Sequence, residues 1–174
     1  MKLQDTLRNS EQHLEDTEKI RVYLCGVTVY DESHIGHART IIVFDVLRKY
    51  LESKGRKIEF IQNFTDVDDK IINKANEENT TAEKISTRYI ENYFRDFDGL
   101  NVKRATNYPK ATEHIEDIVK FIEKLIGKGI AYVSKNGVYF AVTKFPEYGK
   151  LSKKKIDELQ SGSRIQVDEA KNDP

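Results

Sequence analysis

A single cysteine, Cys25, stands among 174 residues. One thiol excludes an intrachain disulfide framework and any zinc site made of several cysteines from this chain. Neither sign of charge is in excess: 29 Lys and Arg balance 29 Asp and Glu. Neutrality excludes the whole-domain basic footprint of a generic nucleic-acid binder, though not a local basic face. No apolar run approaches the roughly 20 residues of a membrane helix. The first fifteen residues lack the apolar core of a secretory signal. A lone thiol without an export signal predicts the cytoplasm. There is no low-complexity tract, no Pro- or Gly-rich linker and no repeat. The standard phosphate fingerprints are missing too. There is no GxxxxGK followed by Ser or Thr, and the GxGxxG begun at Gly127-Lys128-Gly129 has Tyr132 in place of its third glycine.

What is present suffices for a core: 38 % of the residues are apolar, and the length suits one domain of ordinary size. Residues 1–19 read as a polar arm, acidic by five to three. Residues 19–26 alternate with apolar character on both sides, which predicts a strand buried on two faces, as in a parallel sheet. A loop comes next, then a helix from residue 34 or 35 to about 53. Its stripe is Val43, Val46, Leu47, Tyr50 and Leu51, with late basic residues and Gly55 as a stop. A second strand at 57–64 completes a βαβ unit. A short helix is predicted at 68–76. A longer one starts after Thr80, with Glu83 completing a capping box and Ile85, Tyr89, Tyr93 and Phe97 on its inner face. Another helix, 110–128, turns Ile115, Ile118, Ile122 and Leu125 inward. Asn136-Gly137 predicts a hairpin with a type I′ turn. A short polar helix is expected near 153–160, and the last twelve residues read as irregular. The fold class is α/β. The chain divides into the arm 1–19, a first half-core at 20–100, and a hairpin-bearing helical insertion at 101–174.

The segment CGVTVYDESHIGHART, residues 25–40, joins the buried strand to the first helix. In open α/β sheets, ligands bind beyond the carboxyl ends of strands at such junctions. His34 and His37, three apart at a helix start, share a face. Gly36 leaves the backbone open to a flat base or a phosphate. Free amides and the positive dipole end favour an anion. Taken alone, two histidines near a helix start are as often structural or exposed.

His34-Ile35-Gly36-His37 is the HIGH signature of class I aminoacyl-tRNA synthetases, and its flanks resemble the cysteinyl-tRNA synthetase family. NFTDVDDKIINKANE at 63–77 resembles that family's second block. The stretch 108–132, NGVYF at 136–140 and YGKLS at 148–152 resemble the family's next stretch. The resemblance implies a Rossmann-like catalytic core, the first half of which this chain would carry. It implies activation of cysteine by ATP, with magnesium, and transfer to tRNA(Cys). It places His34 and His37 as catalytic and phosphate-contacting residues, with Tyr30 and Gly36 also in the ATP site. It places Gly26 and Thr65 in the amino-acid pocket. It makes Cys25 one of four zinc ligands, the metal meeting the substrate thiolate and so separating cysteine from serine. From the residues alone, Cys25 is a small core residue and Thr65 a cap for the next helix. Asp66, Asp68 and Asp69 read as helix capping rather than a divalent-metal cluster. Lys150 and Lys153 to Lys155 form a basic patch that differs from the KMSKS signature in sequence and place.

By the same resemblance, Pro174 precedes the other three zinc ligands, the second half of the sheet, KMSKS and the tRNA-binding domain. The expectation is a catalytic portion inactive alone, awaiting the rest of the enzyme, with an exposed strand edge and apolar patch. Alternatives are a cysteine–amino-sugar ligase of thiol biosynthesis, a non-catalytic synthetase module, and, more distantly, a generic class I nucleotidyltransferase. No membrane partner is expected.

Overall fold

The structure is a computed structural model that describes residues 1–15, 17–154 and 171. Its elements in chain order are β1 (Lys2–Asp5), β2 (Ser10–His13), β3 (Lys19–Thr28), α1 (Ile35–Ser53), β4 (Lys57–Thr65), α2 (Asp69–Glu77) and α3 (Ala82–Gly99). Then come a 3-10 turn at Ala111–His114, α4 (Ile115–Gly127), β5 (Ala131–Ser134) and β6 (Gly137–Phe140). They form two compact units, one of Asp16–Ile115 and one of Met1–Glu15 with Glu116–Pro174. No helix among the described residues is long and apolar enough to cross a membrane.

The unit at 16–115 is built on the expected βαβ. Strands β3 and β4 pair in parallel, from Lys19↔Lys57 to Leu24↔Gln62, and resume after a register shift at Val27↔Phe64. Helix α1 is the crossover. The other edge of β4 is also covered: the Gln62 N–H donates to the Asn107 carbonyl (3.1 Å) and the Phe64 N–H to that of Pro109 (2.9 Å). The core gathers Leu24, Val29, Phe60, Phe64 and Ile71 with the inner face of α3. That face is Ile85, Tyr89, Tyr93 and Phe97, as the periodicity predicts. Burial pushes the Tyr93 phenol well above its ordinary pKa. It stays protonated and donates to Gln62 Oε1 at 2.9 Å, which satisfies a buried amide.

Several local expectations are corrected. Strand β3 is buried on one face only: Ile20 and Leu24 are inside, while Tyr23 is 64 % exposed and Cys25 is exposed. Cys25 is therefore not a core residue. Of the expected α1 stripe only Leu51 is buried; the inward face is Ile41, Asp45, Arg48 and Leu51. Val43 and Val46 are each 60 % exposed and Tyr50 is also outside. The buried charges explain the rotation. Asp45 accepts from the Lys103 N–H (3.0 Å) and pairs with Lys49 (2.6 Å). Arg48 donates to the Arg104 carbonyl (2.7 Å) and to Glu52 (3.1 Å) and lies over the Phe60 ring. Loop 101–104 thus supplies the partners that make buried charges tolerable.

Helix α3 is capped by Thr81, whose hydroxyl accepts from the Lys84 N–H at 3.3 Å, so the cap sits one residue beyond Thr80 and no box with Glu83 forms. Helix α2 begins as expected, with Asp68 as its cap and Asp69 in its first turn. Asp66 plays a different part. It is buried and accepts from the N–H and hydroxyl of Thr112 (3.0 and 2.5 Å), tying the end of β4 to the 3-10 turn. Thr65 caps nothing, since Asp68 holds that place.

In the second unit the polar N-terminal arm is folded. β1 and β2 form an antiparallel hairpin, closed by Arg8, whose N–H and guanidinium both bind Asp5 (3.0 and 2.7 Å). Those bonds, the backbone one foremost, hold the Asp5 carboxyl below its ordinary pKa. In α4, Ile115 and Ile118 are exposed, against expectation, while Ile122 and Leu125 are partly covered. The β5–β6 hairpin forms, with Ser134↔Gly137 as its last pair. Its two-residue loop is Lys135-Asn136, and neither has a positive φ, which excludes type I′. Lys150 pairs with Glu147, and Lys153 donates to the Leu7 carbonyl (2.6 and 2.7 Å). Of the helix read near 153–160, residues 153 and 154 are described and are not helical, Lys153 having a φ of 58°. Residues 155–160 and all but one of the last twelve lie outside the described residues.

Candidate functional site

The carboxyl end of β3, the loop after it and the start of α1 enclose a cleft of about 380 Å³. Gly26, Tyr30, His34 and His37 line it, all four singled out from sequence; Asp31 and Lys70 join them. Gly36 is adjacent in sequence, but Cys25 and Thr65 are not in the lining.

The two histidines cap α1 reciprocally. His34 Nδ1 accepts from the N–H groups of Gly36 (3.0 Å) and His37 (3.4 Å), and the His34 N–H donates to His37 Nδ1 (3.3 Å). The rings stack with centroids 3.7 Å apart and 17° between planes. This is a capping box made of imidazoles, where Ser and Glu are usual. Because each Nδ1 is an acceptor, the neutral rings carry their proton on Nε2, leaving an N–H donor on each. Gly36 is required by this cap. A Cβ there would lie 2.8 Å from His34 Cε1 and 2.9 Å from Nδ1.

Burial first, and the neighbouring His34 second, hold the His37 imidazole below its ordinary pKa of 6.5. As pH falls past 6.5, the unfolded chain therefore takes a proton at this position before the folded chain does, and folding stability drops until the folded imidazole also titrates. Proton NMR should place the His37 midpoint below 6.5, with stability independent of this group above that pH. A midpoint at or above 6.5 would contradict the stacked geometry.

The other wall depends on a close approach of strands. The register shift between Leu24 and Val27 places Gly26 against β4. Its N–H donates to Asn63 Oδ1 (2.8 Å), which also accepts from the Tyr23 hydroxyl (2.9 Å), while Asn63 Nδ2 reaches Thr65 Oγ1 at 3.4 Å. The Thr65 carbonyl accepts from the Val29 N–H (3.3 Å) and keeps the two strand ends together. The role of Asn63 had no local signal, because Tyr23 and Gly26 lie about forty residues earlier.

The cleft offers two imidazole donors at a helix N-terminus beside a backbone wall without side chain at Gly26, a geometry for a polyanion with a flat group attached. Residues 11–174 match the family described as tRNA synthetases class I (C) catalytic domain. The chain belongs to this family. That bears out the resemblance drawn from residues 25–40 and 63–77. A cysteine–tRNA ligase of Caldicellulosiruptor saccharolyticus is 52 % identical over 176 aligned positions, which take in 100 % of this chain and 38 % of that protein. The chain thus spans about two fifths of this curated relative's length. The structure of Mycobacterium tuberculosis methionyl-tRNA synthetase in complex with methionyl-adenylate is similar at a TM-score of 0.61 and 16 % identity, over 68 % of this chain and 24 % of that one. At that identity the likeness is one of fold. It agrees with a Rossmann-like class I synthetase core, of which β3, α1 and β4 are the parallel unit.

Proposed function

We propose that the chain is the N-terminal catalytic portion of a cysteine–tRNA ligase, acting in the cytoplasm on cysteine, ATP with magnesium, and tRNA(Cys). One observation carries the reading: the paired His34 and His37 stand at the start of α1 with their Nδ1 atoms engaged and their Nε2–H groups left to donate, in a cleft lined by Gly26 and Tyr30. The identity of 52 % to a cysteine–tRNA ligase supports it and disfavours the amino-sugar ligase and the non-catalytic module.

In this reading the cysteine carboxylate attacks the α-phosphorus of ATP in line. A P–O bond forms, the bond to the bridging oxygen breaks, and pyrophosphate leaves with its electron pair. The terminal hydroxyl of the tRNA then attacks the adenylate carbonyl carbon and gives its proton to a phosphate oxygen of the adenylate; the acyl C–O bond to phosphate breaks and AMP leaves with its electron pair. His34 and His37 act as hydrogen-bond donors to phosphate oxygens, whose charge grows in the transition state, and the helix start adds its own partial charge. Neither need remove a proton from the amino acid, because its carboxylate is already ionised near neutral pH. The close seat of Gly26 on Asn63 shapes the adjoining amino-acid pocket, with Thr65 behind it.

Zinc takes four ligands. Cys25 is exposed at the cleft end of β3 and would supply one thiolate. Among the described residues no group of three or more His, Cys, Asp and Glu gathers to hold a metal. The described part of the chain therefore does not hold zinc by itself, and the steps above use only its own side chains and backbone.

The test is a fusion in which these 174 residues replace the matching part of the Caldicellulosiruptor relative. It should catalyse ATP–pyrophosphate exchange that depends on cysteine and ignores serine, while the 174 residues alone give none. A fusion that folds with native circular dichroism and shows no cysteine-dependent exchange would refute the reading.

A further inference from the structure

Lys70 lines the same cleft as His34 and His37, yet its place is a poor one for a cation unless an anion comes to it. It is the second residue after the Asp68 cap, in the first turn of α2, where the positive end of the helix dipole opposes a positive side chain. Among the described residues it makes no ion pair. Its ammonium only rests over the Tyr30 ring, 5.1 Å from the centroid, and Tyr30 itself lines the cleft. An exposed contact of that kind is weak and easily given up.

The two acids that line the cleft with it are occupied elsewhere. Asp31 accepts from the Glu32 N–H (2.9 Å) and pairs with Lys74 (3.4 Å), interactions that hold its carboxyl below the ordinary range. Glu32 accepts from Asn92 (2.7 Å) and lies 3.8 Å from Arg95. Lys74 is spent on Asp31 and on the Tyr89 ring, 4.9 Å away. Among the described residues the cleft therefore holds two carboxylates with partners of their own and one ammonium with no ion-pair partner.

We propose that Lys70 is a triphosphate-binding residue of this cleft, its ammonium leaving the Tyr30 ring to pair with the phosphate chain of the nucleotide. The inference rests on the reading that ATP occupies the cleft, and adds a residue to it. A compact, mobile ammonium on a long stem suits a phosphate chain as a point charge, without bidentate geometry.

The experiment titrates the 174-residue chain with ATP and, separately, with inorganic tripolyphosphate, tracking the Gly36 and His37 amides by NMR. In the unsubstituted chain both ligands shift these amides. Lys70→Gln should weaken tripolyphosphate binding about tenfold and flatten its salt dependence, Lys70→Arg should restore most of the affinity, and adenosine binding should not change. Melting temperatures should agree among the three proteins. Unchanged tripolyphosphate affinity in Lys70→Gln, with normal amide shifts, overturns the role of Lys70 and leaves the ATP reading standing. Equal losses in both variants with lowered melting mark a structural role and overturn it as well. Absence of any shift in the unsubstituted chain overturns both.

Discussion

Gly26→Ala should destabilise the 16–115 unit by about 3 kcal/mol or more, the upper range for overpacking a tight site. An ideal Cβ at residue 26 falls 1.5 Å from the Asn63 carbonyl oxygen and 2.7 Å from its carbon. Both are main-chain atoms of β4, so no rotamer change relieves the clash. The strands must part, at the place where Asn63 Oδ1 holds the Gly26 N–H and the Tyr23 hydroxyl. For a unit of about 100 residues the loss corresponds to a melting temperature lower by about 12–24 °C. Because Gly26 lines the cleft, the nucleotide affinity expected from the proposed function should fall with it. Thermal unfolding of the two proteins decides the matter. A variant that melts within two degrees of the parent would mean that β3 and β4 do not approach so closely in solution.

Phe64→Ala should cost about 3–5 kcal/mol, the usual range for an aromatic truncated in a core. Phe64 is 1 % exposed and is the largest fully buried side chain among the described residues. It meets Tyr93 and Phe94 edge-on, with centroids 5.0 and 5.6 Å away, and stacks on Tyr108 at 5.2 Å. Removal leaves three rings without a partner on one side, and the backbone pairing to Pro109 prevents the strand from sinking to fill the space. A domain has about 5–15 kcal/mol in total, so much of the unit's stability would go. Urea unfolding monitored by tyrosine fluorescence measures it. A loss under 1 kcal/mol would show that the ring cluster collapses around the gap. The effect should also reach the site, since Thr65, the next residue, joins the ends of β3 and β4.

The two substitutions differ in kind. One adds a methyl group where main chain already stands, and the other removes contacts from the centre of the core. Both act on β4, which has β3 on one edge and the 106–110 segment on the other. The site therefore inherits its rigidity from the central strand of the unit.

How much of this was legible beforehand depended on whether the deciding partners were near in the chain. The α1 start was legible because its cap is local: His34 and His37 bond to amides two and three residues away. The inner face of α3 was legible because four large apolar side chains repeat every four residues. The β1–β2 hairpin left no hydrophobic trace, for its residues are almost all exposed and polar and its turn is closed by Asp5 and Arg8. The inward stripe of α1 was misread because hydrophobicity marks what can be buried, not which face another segment covers. Asp45 and Arg48 go inside since Lys103 and Arg104, more than fifty residues on, bring main-chain partners to them.

By itself the order of residues determined the βαβ unit, the helix start with its two imidazoles, and, through the blocks at 25–40 and 63–77, the family. These rest on short-range periodicity and on chemistry confined to a few neighbouring positions. Tertiary structure alone decided that Gly26 touches Asn63, that Cys25 faces outward, and that Lys70 shares a cleft with His37. Each of those pairs residues from different elements or sets a side chain against the packed sheet, and such proximity is created by folding.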